Sequence, residues 1–82
     1  MTTDVDIMQR LTEIFRRVFD NPGLALTTRK GPHDIMGWDS ARMVMLVLEI
    51  EQVFSIEFAS RDVDRVRSIA DFVTVIKRKS PA

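Results

Sequence analysis

The fold of this 82-residue chain is decided by the stretch Gly37-Trp38-Asp39-Ser40-Ala41-Arg42-Met43-Val44. A glycine turn leads there into an Asp-Ser pair, which opens a long apolar helical run. A serine at such a position has its hydroxyl beside unpaired backbone N–H groups and the positive end of the helix dipole. This is a favourable place for a phosphate ester. Asp39 or Ser40 could instead be a simple N-cap, and position alone favours the cap.

The composition is that of one small domain, expected to span residues 1–82. Hydrophobic residues make up 45% of the chain. The absence of cysteine excludes disulfides, thiol catalysis and cysteine-based zinc sites. The acidic N-terminal segment lacks the apolar run of a signal peptide, and residues 43–48, the longest apolar stretch, are too few to span a membrane. We therefore expect a cytoplasmic protein.

The charges balance overall but are unevenly distributed. Residues 38–58 hold four acids against one base, a local net charge of −3, whereas residues 59–82 hold three acids against six bases, a local net charge of +3. The cluster Lys77-Arg78-Lys79 is expected to be a solvated helix end whose cations complement the helix dipole. A nucleic-acid-binding protein would show a basic excess with a recognisable motif, so we expect no nucleic-acid partner.

Apolar residues recur at helical spacing in three long segments. The first helix is capped by Thr3 or Asp4 and stops at Asn21-Pro22-Gly23. The second runs over about residues 40–54, and the last starts at Ser68 with a capping-box-like sequence. These segments predict three substantial helices.

The connections between these helices differ in character. Residues 20–37 contain two prolines and three glycines with little periodicity, and we interpret them as a long ordered loop. Residues 55–58 alternate like a strand but have no partner strand to pair with. Residues 61–66 are predicted to form a short helix with Val63 and Val66 turned inward. The sequence therefore predicts an all-α fold, a small bundle of three main helices plus one short helix.

The predicted core takes the apolar stripe of each helix. The second helix is apolar on more sides than one core needs, so it is either buried on several sides or carries an apolar patch for a partner. The residues expected in the core are Leu11, Phe15, Val18, Leu46, Val47, Ile50, Phe54, Val63, Ile69, Phe72 and Ile76.

No constellation of residues indicates an enzyme. His33 is the single histidine, and without cysteine it cannot complete a usual zinc site, so no metal site is expected. Ser40, His33 and Asp39 have the residue types of a hydrolase triad, but the chain lacks a Gly-x-Ser-x-Gly elbow and a strand to carry it. The glycines are too dispersed for a phosphate-binding loop. We therefore expect no catalytic residues.

Four segments carry a familiar spacing: Trp38-Asp39-Ser40-Ala41, residues 44–54, Ile56-Glu57-Phe58 and residues 67–73. Read together, they closely resemble the acyl carrier proteins. In that family an Asp-Ser-Leu motif opens the second helix, and a short apolar-acidic-apolar loop follows its Phe end. A small third helix then precedes a last helix opened by Ser or Thr. The resemblance covers about residues 5–77, the expected helical core, and implies an acyl-carrier-like bundle.

The resemblance implies that Ser40 carries a covalent 4′-phosphopantetheine arm, attached by a phosphopantetheinyl transferase. The arm's thiol would hold an acyl or aminoacyl group as a thioester, and the protein would present it to loading, condensing or transferring enzymes. Asp39 would help to position the serine for the transferase and its metal ion. The protein itself would then be a monomeric shuttle and not an enzyme.

Two further sets of residues are candidates for function. The exposed side of the second helix next to Ser40 is expected to present a partner face, formed by Ala41, Met45, Leu48, Glu51 and Gln52. Slight parting of the bundle would admit an acyl chain beside Ser40, into a pocket lined by Val44, Leu48 and Ile69.

Departures from the family pattern favour a stand-alone carrier of a specialised pathway. Ala41 stands where the family usually has leucine, and Arg42 and Met45 make the partner face less acidic than that of fatty-acid carriers. The cargo would then be a polyketide, a modified lipid or an aminoacylated product. The alternative is an unmodified helical protein-interaction module of carrier-like fold, in which Ser40 is only a cap.

Overall fold

The computed structural model describes residues 3–80, and its four helices follow one another in the predicted order. They are α1 (Asp4–Val18), α2 (Ser40–Phe54), α3 (Ser60–Asp64) and α4 (Ile69–Lys79). The described residues contain no strand, so the prediction of an all-α bundle with three long helices and one short helix is confirmed. Within this range no helix has the length and apolar character that a membrane crossing requires.

Side chains close in the sequence set the starts of α1 and α4. Thr3 caps α1, because its hydroxyl accepts a hydrogen bond from the backbone N–H of Asp6 (3.2 Å). At the start of α4, the Asp71 carboxylate accepts the backbone N–H of Ser68 (3.1 Å). This bond is the reciprocal half of the capping box that the sequence predicted there.

α1 packs against both α2 and α4 around a single core. Of the predicted core residues, Val47 is half-buried but packs against the core, and the prediction was wrong only for Val63, which is half-buried outside it. Val47 lies at the border of the buried stripe of α2, and α3 turns Asp62 inward instead of Val63. The other predicted core residues are buried, namely Leu11, Phe15, Val18, Leu46, Ile50, Phe54, Ile69, Phe72 and Ile76. Buried apolar residues outside the predicted set are Ile7, Ile14, Ile35, Ile56, Val73 and Val75.

α3 begins one residue and ends two residues earlier than predicted, and its buried residue is an acid. The Asp62 carboxylate accepts the backbone N–H of Ala59 (2.9 Å) and pairs with Arg78 Nη2 (2.9 Å) and Lys79 Nζ (3.1 Å). The Ala59 N–H, together with the Lys79 and Arg78 charges, holds the pKa of the Asp62 carboxyl below its usual value. These two cations, expected only to complement the helix dipole, therefore also hold α3 against the end of α4.

The segment 55–58 connects α2 to α3 as an irregular stretch. Ile56 is buried and Phe58 packs half-buried against the core. The backbone N–H of Phe58 donates to Glu51 Oε2 (2.8 Å), and that of Ile56 donates to Glu51 O (3.2 Å). The strand-like alternation of the sequence therefore reflects alternate burial, because bonds to α2 replace those of a partner strand.

The long loop between α1 and α2 is fixed against the start of α4. The carbonyl oxygen of Lys30 accepts the N–H of Ile69 (2.8 Å), and that of Thr28 accepts the N–H of Ala70 (3.0 Å). Both N–H groups belong to the first turn of α4, where a helix offers no internal acceptor. Ile35, further along the loop, is buried in the core. The loop is therefore ordered, as predicted, and it carries the chain to the start of α2.

Candidate functional site

Asp39 and Ser40 form the start of α2 and play different parts there. Asp39 is the N-cap, because its Oδ1 accepts the backbone N–H of Arg42 (2.9 Å) and its backbone is extended (φ −124°, ψ −173°). Ser40 is the first residue of the helix, and it is exposed. The sequence left open which of the two residues caps the helix, and the structure assigns the cap to Asp39. The hydroxyl of Ser40 is therefore not needed to hold the helix end.

The turn that precedes this pair has a fixed shape. Gly37 has a φ of +88°, a conformation that residues other than glycine rarely adopt. Arg42 Nη1 donates to Gly37 O (3.0 Å), and the guanidinium carbon lies 5.6 Å from the centroid of the Phe19 ring. The backbone N–H of Trp38 donates to Ile35 O (3.3 Å). The turn before Ser40 is therefore fixed by the Arg42 side chain from α2 and by a backbone hydrogen bond within the loop.

Trp38 anchors this turn to α1 and α4. Its indole meets the Phe15 ring edge-on, with centroids 5.3 Å apart, and stacks on the Phe72 ring at 6.2 Å. Phe15 and Phe72 are themselves fully buried. The turn before α2 is thus packed on aromatic side chains of α1 and α4.

Ser40 differs from the other four serines of the chain. Ser55 and Ser60 are exposed, but Ser55 follows the C-terminal end of α2 and Ser60 opens a helix of only five residues. Ser68 and Ser80 are half-buried at the two ends of α4. Ser40 combines an exposed side chain with the first turn of a 15-residue helix, where the helix dipole favours an added negative charge.

The structure places most of the predicted partner face at the surface. The exposed members are Ala41, Met45, Leu48 and Gln52. Met45 and Leu48 expose 48% and 56% of their surface. Glu51 is half-buried, and its Oε2 accepts the backbone N–H of Phe58 (2.8 Å). The one charge of the predicted face is therefore engaged in the connection to α3.

Two further apolar side chains are exposed near the site. Val44 exposes 59% of its surface one helical turn from Leu48, and Met36 exposes 96% in the loop before the turn. Val44 was predicted to line the acyl pocket, whereas Met36 was not among the predicted site residues. The excess of apolar residues in α2 indicated that some of them, such as Val44, would be exposed. Met36 lies in a segment without periodicity, so the sequence did not indicate its exposure.

The residues predicted to line an acyl pocket lie in different environments. Val44 and Leu48 are at the surface, whereas Ile69 is fully buried at the start of α4. A pocket lined by all three would require α2 to move relative to α4.

The described residues do not form a metal centre, and Asp39 is engaged as a helix cap. Within residues 3–80, no group of three or more Asp, Glu or His side chains is arranged to hold a metal ion. His33 is exposed in the loop. The hydrogen bond of Asp39 Oδ1 to the Arg42 N–H is a helix cap and not the Asp–His bond of a triad.

Comparisons with known proteins agree with this geometry. The family described as "Phosphopantetheine attachment site" matches residues 9–76 of the chain. The chain is also similar to a solved structure, the solution NMR structure of holo acyl carrier protein from Geobacter metallireducens. The two are 30% identical with a TM-score of 0.82, and the match covers 88% of this chain and 83% of that chain.

Proposed function

The chain belongs to the phosphopantetheine-attachment-site family of acyl-carrier-type domains, and we propose on that basis that Ser40 is the residue that bears its 4′-phosphopantetheine. The supporting observation is the exposed Ser40 at the first turn of α2, directly after the cap residue Asp39. When attached, the arm supplies a thiol that holds cargo as a thioester. The function we propose is to present an acyl or aminoacyl group to biosynthetic enzymes.

The start of α2 suits a phosphodiester on Ser40. The first-turn N–H groups of a helix have no acceptor within the helix, and the helix dipole adds a partial positive charge. Both stabilise an anion at this end. Because Asp39 is the cap, derivatisation of the Ser40 hydroxyl leaves the capping bond to Arg42 intact. The modified protein should therefore keep its fold.

We assign Asp39 a positioning role during loading. Its cap fixes the backbone before Ser40, and its carboxylate would be presented to the transferase and its metal ion. Asn caps helices about as well as Asp, so Asp39→Asn separates the cap from the charge. We expect this variant to retain its thermal stability but to be loaded more slowly. Loading at the wild-type rate would restrict Asp39 to capping.

The protein acts as a shuttle and not as an enzyme in this proposal. Its partners are a phosphopantetheinyl transferase, which attaches the arm, and the enzymes that load, condense or transfer the cargo. It would work as a monomer in the cytoplasm. Its zero net charge gives no reason to expect a nucleic-acid partner.

The surface beside Ser40 supports a specialised carrier. Met45 and Leu48 are exposed there, and the Glu51 carboxylate is engaged by the Phe58 N–H. Partners would therefore meet an apolar face with little free charge, formed with Ala41 and Gln52 at its two ends. This face fits a dedicated pathway for a polyketide, a modified lipid or an aminoacylated product.

We also propose that the bundle parts beside Ser40 to receive an acyl chain. Ile69 would line the inner end of the pocket, and Val44 and Leu48 would turn inward as α2 moves. NMR spectra of these methyl groups should change when a long acyl chain replaces the bare arm. If only residues next to Ser40 respond, the chain stays in solvent and the pocket does not form.

Intact mass after co-expression with a broad-specificity transferase tests the assignment of Ser40. We expect one added arm on the wild-type protein, none on Ser40→Ala, and one on the control Ser60→Ala, which removes another exposed serine at a helix start. Ser40→Ala should fold normally because the Asp39 cap does not involve the Ser40 hydroxyl. Circular dichroism of each variant confirms this.

Two outcomes would contradict the assignment. An arm that maps to Ser55, Ser60 or Ser68 would place the attachment elsewhere. A folded wild-type protein that never gains the arm would favour the unmodified interaction module.

A further inference from the structure

A shallow, open groove of about 500 Å3 is formed by the part of the long loop that directly precedes Ser40. It is lined by residues 32–39, a continuous segment of the long loop, and not by the exposed face of α2. Its last lining residue, Asp39, is bonded directly to Ser40. A group attached to Ser40 is therefore tethered one residue away from this groove.

The groove is held in shape by the fold. Ile35 is buried in the core, and Trp38 stacks on Phe72. The Asp34 Oδ2 accepts the backbone N–H of Gly31 (3.0 Å), and the Asp34 N–H donates back to Gly31 O (2.9 Å). A ligand that enters does not have to order the loop first, so the entropic cost of binding is low.

The lining mixes apolar and polar side chains. Pro32, Met36 and Trp38 are apolar, and His33, Asp34 and Asp39 are polar. Met36 is almost fully exposed, and its unbranched side chain adapts to irregular ligands. The pantoyl segment of phosphopantetheine, next to the phosphate, has two geminal methyl groups, a hydroxyl and an amide. It is uncharged, so the two acids do not repel it.

We propose that this groove binds the pantoyl segment of the arm, with its methyl groups against Met36 and Trp38. The proposal rests on the attachment at Ser40 argued above. Because the arm is tethered next to the groove, its effective concentration there is high, and weak contacts suffice to hold it. The pantoyl segment then lies over the loop and leaves Met45 free for partner enzymes.

Selective methyl labelling of methionine tests this placement on protein whose loading at Ser40 has been verified by mass and peptide mapping. Met36 and Met45 are matched reporters, since both are exposed and they flank the site on the loop and on α2. We expect the Met36 methyl signal to move several times more than that of Met45 when the arm is added. A Met45 shift as large as that of Met36, or no Met36 shift, overturns the proposal.

The variant Ser40→Asp separates the effect of the arm from that of its negative charge, and Trp38 fluorescence provides a second measurement. Ser40→Asp adds a negative charge without an arm, and a Met36 shift in this variant would also overturn the proposal. Trp38 is the single tryptophan of a chain without tyrosine, so its fluorescence reports on the groove. The fluorescence difference between the unloaded and the fully loaded protein, with loading of each variant verified by mass, should be lost in Met36→Ala and kept in Met45→Ala; the reverse result places the arm on α2.

The experiments distinguish an error in the groove proposal from an error in the assignment of Ser40. If Ser40 is loaded but Met36 does not respond, only the groove proposal is wrong. If no mass is gained, the attachment at Ser40 is wrong and the groove proposal falls with it.

Discussion

The indole of Trp38 stacks on the ring of Phe72, with centroids 6.2 Å apart and planes inclined by only 11°. Trp38 belongs to the turn before Ser40, and Phe72 belongs to α4. Phe15 of α1 meets both rings edge-on, at 5.3 and 6.2 Å. The start of α2 therefore depends on side chains from two other helices, and substitutions in the core should change the conformation of the turn before Ser40.

Phe72→Ala should destabilise the protein strongly and loosen the turn before Ser40. Phe72 is fully buried, and Phe-to-Ala changes in cores cost about 3–5 kcal/mol. That is a large share of the stability of a small domain. Urea denaturation followed by circular dichroism measures the loss, and Trp38 fluorescence of the folded variant reports the loosened turn.

Met45→Ala is the matched control for this change. Met45 is about half exposed on α2, and surface substitutions usually stay within about 0.5 kcal/mol. Equal unfolding midpoints for the two variants would mean that the buried and exposed faces have been misassigned.

The ion pairs of Asp62 should make stability depend on pH in the acid range. Because the folded-state pKa of Asp62 lies below its unfolded value, the folded protein releases this proton more readily. The stabilisation is fully present above the unfolded pKa of about 3.9 and is lost as the pH falls through the lower folded value. Urea midpoints of wild type and Asp62→Asn should therefore differ at neutral pH and converge at low pH.

Asp64→Asn controls for the loss of one acid from α3. Asp64 lies two residues further along and is exposed, so its substitution should leave the neutral midpoint almost unchanged. A difference between wild type and Asp62→Asn that stays constant down to low pH would show that burial of Asp62, and not its charge, is what matters.

Gly31→Ala should destabilise the contact between the long loop and α4. A Cβ on Gly31 would lie 2.5 Å from the carbonyl oxygen of Arg67, so the backbone would have to shift. Overpacking of this kind typically costs about 1–3 kcal/mol. Gly23→Ala is the control, since its nearest neighbour, Asn21 Oδ1, would be 3.7 Å away. Thermal unfolding should show a lower melting temperature for Gly31→Ala than for Gly23→Ala. Equal melting temperatures would contradict the prediction.

The exposed face of α2 should bind partners through apolar contacts. We expect Met45→Ala and Leu48→Ala to lower the affinity for the transferase. Added salt should change this affinity little, because salt dependence comes from charged rims and this face has little free charge. Titration calorimetry at low and high salt measures both effects. Val5→Ala, which trims another exposed aliphatic side chain, should bind like wild type. Collapse of binding in salt with a silent Met45→Ala would instead indicate an electrostatic face.

Local patterns predicted the long helices because their determinants are local. The Asp39 cap and the apolar periodicity that follows it place both ends of α2, and Ser68 with Asp71 places the start of α4. The burial of Asp62 was not predictable, since its partners Arg78 and Lys79 belong to a different helix. Ile35 was missed for a related reason: a loop has no period to show which of its residues turn inward.

The features of the site that depend on local sequence were also predictable, and those that depend on long-range contacts were not. The position of Ser40 at a helix start follows from the sequence beside it, and the structure agrees. The stacking of Trp38 on Phe72 and the groove formed by residues 32–39 require the loop path, which long-range contacts determine. The engagement of Glu51 by the Phe58 N–H likewise depends on how the chain returns after α2.

The hydrogen bonds from Ile69 and Ala70 to the loop carbonyls alter how deuterium enters α4. First-turn amides of a helix normally exchange quickly, because they have no acceptor within the helix. Here both amides are covered by residues from the other half of the chain, so exchange requires the loop to lift. Their protection factors should therefore measure the free energy of loop opening, and we expect the loop and the first turn of α4 to open together.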